Sequence, residues 1–180
     1  MPTFERIIKI LPKDLKVLDV GCGGLLGENT SQYLAGYFED ITGVNVKANK
    51  DLLEFIKLFP KVNLVIGNYK DIKDKFDLVV FDLNIEGNLE NWSDEGLKQC
   101  GKLVKDGGYL INYIMTTDQY GEPDKTPELL RQHCSHWWKT FSREDIGKKL
   151  RSLKNWEVVV CEQEERRGYI LWVLLKKING

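Results

Sequence analysis

The chain has 180 residues, of which 42% are hydrophobic and 29% charged, enough for one globular domain with a sizeable core and too little for a second large one. Lys plus Arg (26) nearly cancels Asp plus Glu (27), and the KK and RR pairs are scattered, so no global field favours a nucleic-acid partner. No segment approaches the roughly 18 uninterrupted apolar residues of a membrane span, and Cys22, Cys100, Cys134 and Cys161 never form CxxC, so a soluble cytoplasmic protein with reduced thiols is expected, with neither a zinc ribbon nor a disulfide framework.

In chain order, a short first helix is expected to carry Phe4, Ile7, Ile8 and Leu11. Apolar β-rich runs follow at "KVLDV", "DITGVNV", "VNLVIG", "FDLVVFDL" and "GGYLINYIM", separated mostly by stretches with helical spacing. Thr30, Leu34, Tyr37 and Phe38 share one such face; Leu52, Phe55, Ile56 and Phe59 share the next, before Pro60. A helix starting at Ser93 is expected to bury Leu97, Cys100 and Val104 and to stop at Gly107-Gly108. Residues 116–141, with two prolines and an aromatic cluster, break the rhythm and read as an insertion near the sheet's carboxyl edge. "SREDIGKKLRSL" then gives a helix with Ser142 and Asp145 at capping-box spacing and Ile146, Leu150 and Leu153 on one face. "WEVVVCEQE" and "GYILWVLLKK", joined by the charged turn ERRG, read as an antiparallel hairpin. The fold class is therefore α/β: a doubly wound, Rossmann-like sheet of about seven strands, mostly parallel, with helices on both faces.

The stretch "VLDVGCGGLLGENT" carries the chemistry. In a doubly wound sheet the turn after the first strand brings bare backbone against a ligand, which places Gly21, Gly23 and Gly24 there. No lysine follows as a Walker A loop requires, and Leu26 stands where GxGxxG needs its third glycine, so both nucleotide-phosphate readings lose support. Asp19, two residues before Gly21, would repel a pyrophosphate and attract a cation.

These residues resemble the class I S-adenosylmethionine-dependent methyltransferases, whose signature is an apolar strand followed by DxGCG, here "VLDVGCG". The likeness continues through "ITGVNV", "LVIGNYKDI", "FDLVVFDL" and "LVKDGGYLI", covering roughly residues 3 to 115, and the closing hairpin agrees with the family's antiparallel seventh strand. The resemblance implies S-adenosyl-L-methionine as cofactor, Asp19 as a contact to its methionine end, and Gly21, Cys22, Gly23 and Gly24 as the close-approach loop. It puts Asn45 where an acid usually binds the ribose hydroxyls, Asn68 where an acid often takes the adenine amine, and Tyr69 beside the ring. Asp82 and Leu83 fall where the methyl meets its acceptor.

The third glycine of the usual GxGxG is Leu25, and both expected acids are asparagines, which accept hydrogen bonds without the charge-assisted strength of a carboxylate. Asp51 or Asp71 could substitute for them. These departures keep a non-catalytic binding or partner module open as an alternative, with a nicotinamide-dependent oxidoreductase behind it.

His133 and His136, the only histidines, fall in the insertion; with Asp82 they are the candidates for a catalytic base. His133, Cys134 and His136 crowd into four residues without a distant fourth ligand, so no metal is expected. Trp137, Trp138 and Phe141 read as packing of the insertion, with an aromatic box for a cationic amine as the sharper alternative. The DPPY or NPPY tetrapeptide of amino-methylating DNA enzymes is absent after strand four, where "DLNIEGN" stands. The expected acceptor is an oxygen or nitrogen of a small molecule or a protein side chain, selected mainly by the 116–141 insertion.

Overall fold

A computed structural model of the chain describes residues 2–22, 30–81, 101–115, 142–164 and 170–178. Its elements are α1 (Pro2–Lys9), β1 (Lys16–Val20), α2 (Thr30–Tyr37), β2 (Asp40–Asn45), α3 (Lys50–Leu58), β3 (Val62–Ile66), a 3₁₀ turn (Tyr69–Asp71), β4 (Phe76–Phe81), β5 (Val104–Met115), α4 (Arg143–Arg151), β6 (Trp156–Gln163) and β7 (Ile170–Lys177). The seven strands form one sheet in the order β3-β2-β1-β4-β5-β7-β6. The first five are parallel, and β7 is antiparallel to both β5 and β6. Strand order reverses between β1 and β4, the place where such sheets open a crevice at their carboxyl ends.

Pleat alternation divides the strand side chains between two cores. Val17, Ile41, Leu78, Val80, Ile111 and Trp172 pack with α1, α2 and α3 on one face. Leu18, Val44, Val79, Phe81, Leu110 and Val173 pack with Ile146 and Leu150 of α4 on the other. Both faces are covered, which is why the central strands read as nearly continuous apolar runs. Each helix docks the stripe its spacing foretold: Phe4, Ile7 and Ile8; Leu34 and Phe38; Leu52 and Phe55; Ile146 and Leu150 are all buried. Ser142 caps α4, its side chain accepting from the Asp145 N–H.

The start of β5 differs from expectation. Val104 lies in the strand, paired with Phe76, so it is not the last apolar residue of a preceding helix. Gly107, at φ 76°, breaks the register between Phe76 and Leu78 inside the strand instead of ending a helix. Gly108 lies so close to the Asp77 carbonyl that a Cβ there would sit 2.8 Å from its oxygen. The glycine pair thus makes a bulge against β4, and a bulge and a helix stop ask for the same residue.

Eight-residue α1 is too short to hold alone, and tertiary contacts fix it. Phe4 packs on Trp172 at a tilt, ring centroids 4.8 Å apart, and Tyr113 meets the same indole edge-on at 5.2 Å. Burying each such ring contributes about 1.5–3 kcal/mol. The Thr3 N–H donates to Glu164 at 3.5 Å, putting a buried carboxylate at the helix's positive end. No helix among the described residues is long and apolar enough to cross a membrane.

Candidate functional site

The carboxyl ends of β1 and β2 bring Asp19, Gly21, Cys22 and Asn45 together. Asp19 is 1% exposed. Register places it between Gly43 of β2 and Val80 of β4, on the face covered by α1 to α3. A carboxylate this desolvated is costly unless donors or a cation meet it.

Gly21, at φ 85°, turns the chain out of the strand through a conformation that side chains rarely adopt. The Gly21 and Cys22 N–H groups both donate to the Val44 carbonyl, at 2.8 and 3.2 Å. Asn45 follows Val44 and reaches back: its Nδ2 donates to the Cys22 carbonyl at 2.9 Å. The Cys22 side chain is fully buried against Gly43, where a Cβ would fall 2.5 Å from Cys22 Sγ. Cys22 is therefore a packing residue. Gly43 was not singled out from the sequence, although a glycine inside a strand is itself a sign of close approach.

At the next strand end, the Gly67 N–H donates to the Asn45 carbonyl at 2.9 Å, tying β3 to β2. Asn68 is exposed and caps the 3₁₀ turn, its Oδ1 accepting from the Lys70 N–H at 3.0 Å. Tyr69 is half-buried and meets Phe81, the last residue of β4, edge-on at 5.6 Å. Asp51 lies in the first turn of α3 and Asp71 in the exposed 3₁₀ turn. Val46, just past β2, and Ile66, the last residue of β3, are 65% and 49% exposed. The hydroxyl of Thr30, first residue of α2, is buried with no hydrogen-bond partner among the described residues.

Gly23, Gly24, Leu25, Asp82, Leu83, His133, Cys134 and His136 lie outside the described residues, as does the 116–141 insertion. Among the described residues no three His, Cys, Asp or Glu side chains gather as a metal site would require.

The donor set suits S-adenosylmethionine better than a phosphate. A buried carboxylate beside a left-handed glycine would suit an ammonium group, the two amides would suit the hydroxyls and amine of a nucleoside, and exposed Val46 and Ile66 would suit a flat base. No family model and no curated protein sequence matches the chain. Solved structures do. The chain is similar to the 1,6-didemethyltoxoflavin-N1-methyltransferase of Burkholderia thailandensis, solved with bound 1,6-didemethyltoxoflavin and S-adenosylhomocysteine, at 15% identity and TM-score 0.69 over 99% of this chain and 77% of that one. It is similar to an S-adenosylmethionine-dependent methyltransferase from Mesorhizobium loti at 13% identity and TM-score 0.66, covering 98% and 96% of the two chains. It is likewise similar to the N-methyltransferase NodS of Bradyrhizobium japonicum at 12% identity and TM-score 0.64, covering 99% and 96%. The chain thus has a Rossmann-like fold shared with these S-adenosylmethionine-dependent methyltransferases, its own sheet closed by an antiparallel strand pair.

Proposed function

We propose that the chain is an S-adenosylmethionine-dependent methyltransferase that methylates an oxygen or nitrogen of a small molecule or protein side chain. The observation that carries this reading is the buried Asp19 carboxylate beside left-handed Gly21, at the ligand edge of a fold shared with proteins of that activity. Asp19 would hold the methionine ammonium, strengthened by low dielectric. Gly21 to Gly24 would let the backbone approach closely. Asn45 Oδ1 would accept from a ribose hydroxyl, and Val46 and Ile66 would flank the base. Asn68 has a second lone pair for the adenine amine, with Tyr69 beside the ring.

When bound, the cofactor supplies an activated methyl group on a sulfonium. The protein's part is to hold the acceptor in line at about 3 Å in a water-poor pocket. In this reading Asp82, His133 or His136 would remove the acceptor's proton, and Asp82 and Leu83 would fall where the methyl meets its acceptor. The Burkholderia and Bradyrhizobium neighbours are N-methyltransferases, which makes an amine or heteroaromatic nitrogen the first acceptor to try.

Calorimetric titration with S-adenosylmethionine and S-adenosylhomocysteine tests the reading. Binding of both is expected, and loss of it in Asp19→Ala. Absence of binding at millimolar concentration would sink it, and binding of NAD in its place would point to an oxidoreductase. A second reading, a module that holds cofactor or partner without turnover, is favoured by the commitment of Asn68 Oδ1 to Lys70 and of Asn45 Nδ2 to Cys22. Formation of S-adenosylhomocysteine with any acceptor separates the two.

A further inference from the structure

Asn45 stands where the resemblance leads one to expect an acid, and the residue it touches explains the amide. Its Nδ2 donates to the Cys22 carbonyl at 2.9 Å. That oxygen can only accept, so the residue facing it must be a donor. A carboxylate at position 45 would set oxygen against oxygen and repel the turn it now holds. The Cys22 N–H meanwhile donates to the Val44 carbonyl at 3.2 Å, so both backbone polar groups of Cys22 are answered by consecutive residues of β2. Cys22 Sγ is locked against Gly43 from the same strand. Three successive residues of β2 therefore grip the first turn of the glycine loop, and only Asn45 does so through its side chain.

From this geometry we infer that Asn45 is a positioning residue, an amide latch that sets the glycine loop for the cofactor, and is not a weakened version of an acidic ribose ligand. The inference rests on the methyltransferase reading for its consequence, but the latch itself can be measured without cofactor. Nδ2 holds the loop while Oδ1, to which no described residue donates, stays available to one ribose hydroxyl. The trade is specific: an acid would accept both hydroxyls but release the loop, whereas the amide keeps the loop and accepts one.

Two variants give opposite rankings under the two views. If position 45 is chiefly a ribose ligand, Asn45→Asp binds S-adenosylmethionine at least as well as wild type, and Asn45→Ala binds worst. If it is a latch, Asn45→Asp binds worst, Asn45→Ala is intermediate and wild type is tightest. The cofactor-free readout is thiol labelling of buried Cys22 with a maleimide, located by peptide mass mapping. Loss of the latch should speed labelling of Cys22 about tenfold in Asn45→Ala and more in Asn45→Asp, as one broken hydrogen bond opens the turn more often. Labelling of exposed Cys161 serves as the internal reference and should not change.

Unchanged Cys22 labelling in both variants overturns the latch, as does Asn45→Asp binding as tightly as wild type. If Asn45→Asp does not fold, Asn45→Ala alone decides by the same tenfold criterion. Wild-type protein that binds no S-adenosylmethionine would remove the functional reading, and the labelling result would still decide the latch.

Discussion

Two carboxylates of equal burial sit at the same edge of the sheet in different surroundings. Asp19 and Glu164 are each 1% exposed, one at the end of β1 and the other just past β6. Glu164 is spent on the fold: Oε2 accepts from the Trp172 indole at 3.0 Å, Oε1 from the Thr3 N–H at 3.5 Å, and its own N–H donates to the Ile170 carbonyl at 2.8 Å. It fastens the first helix to the closing hairpin over an aromatic cluster. Asp19 instead lies beside a positive-φ glycine, a buried cysteine and a bare stretch of β2. On the β7–β6 side the buried acid ties the first helix to the hairpin; on the β1–β2 side the buried acid stands next to Gly21 and the turn that Asn45 holds. Burial alone assigns neither acid a role; in the proposed reading Asp19 holds the cofactor while Glu164 holds the fold.

The comparison predicts a crossed pair of phenotypes. Asp19→Asn should lower affinity for S-adenosylmethionine about a hundredfold, as a charge-assisted contact to the cofactor is lost, with a smaller change in Tm than Glu164→Ala produces. Glu164→Ala should do the reverse. Two buried N–H groups lose their acceptor, costing about 2 kcal/mol, or a Tm fall of about 6 °C for a domain of this size, with cofactor affinity within twofold of wild type. Calorimetry for affinity and differential scanning fluorimetry for Tm read both. If Asp19→Asn melts early and still binds, or Glu164→Ala binds poorly at unchanged Tm, the two roles have been assigned the wrong way round.

A smaller effect sharpens the β2 side. Gly43→Ala would place a methyl 2.5 Å from Cys22 Sγ, so either the loop or the strand must give. Overpacking of this kind costs about 1–2 kcal/mol. The same substitution should weaken cofactor binding, because Cys22 is the loop's anchor. Adding Cys22→Ala removes the sulfur and should restore most of the lost stability; a double-mutant cycle with no coupling would show that the two side chains do not contend for the space.

Much of this architecture was legible because buried parallel strands announce themselves as apolar runs and α-helices as stripes. The five strands, the hairpin and the docking faces of the helices needed only local pattern. What escaped were facts set by a distant partner. The Gly107-Gly108 pair looked like a helix stop, since nothing local says that Asp77 of β4 will crowd Gly108. Glu164 ends the strand run "WEVVVCEQE" with no local sign of a structural role, because Thr3 is 161 residues away. Asn45 and Asn68 were read as diminished acids, since position and residue type are visible in sequence while the Cys22 carbonyl and Lys70 N–H they face are not. Gly43 alone was available in advance, as a glycine with no turn to explain it.

A third acid joins the two halves at the edge away from the site, and its effect should be the smallest. Asp77 accepts from the Lys16 N–H at 3.0 Å and pairs with Lys105 at 2.9 Å, linking β4 to the starts of β1 and β5. Partial burial pushes its carboxyl up, but the Lys105 hydrogen bond, the Lys16 N–H and the two ammonium charges outweigh that and hold it below the ordinary aspartate value. A carboxyl lowered in the folded state adds stability above its unfolded pKa, and that stability is lost as pH falls through the folded value. Asp77→Asn should therefore melt about 1–2 °C below wild type at neutral pH, a modest figure because the group is solvent-screened. The gap should narrow below about pH 4, where the unfolded carboxyl takes up its proton. Because Asp77 lies at the opposite end of the strands from Asp19, cofactor affinity should not follow. If affinity falls along with Tm, the ligand edge is coupled to the far edge of the sheet, and the division between packing acid and binding acid is less local than Asp19 and Glu164 suggest.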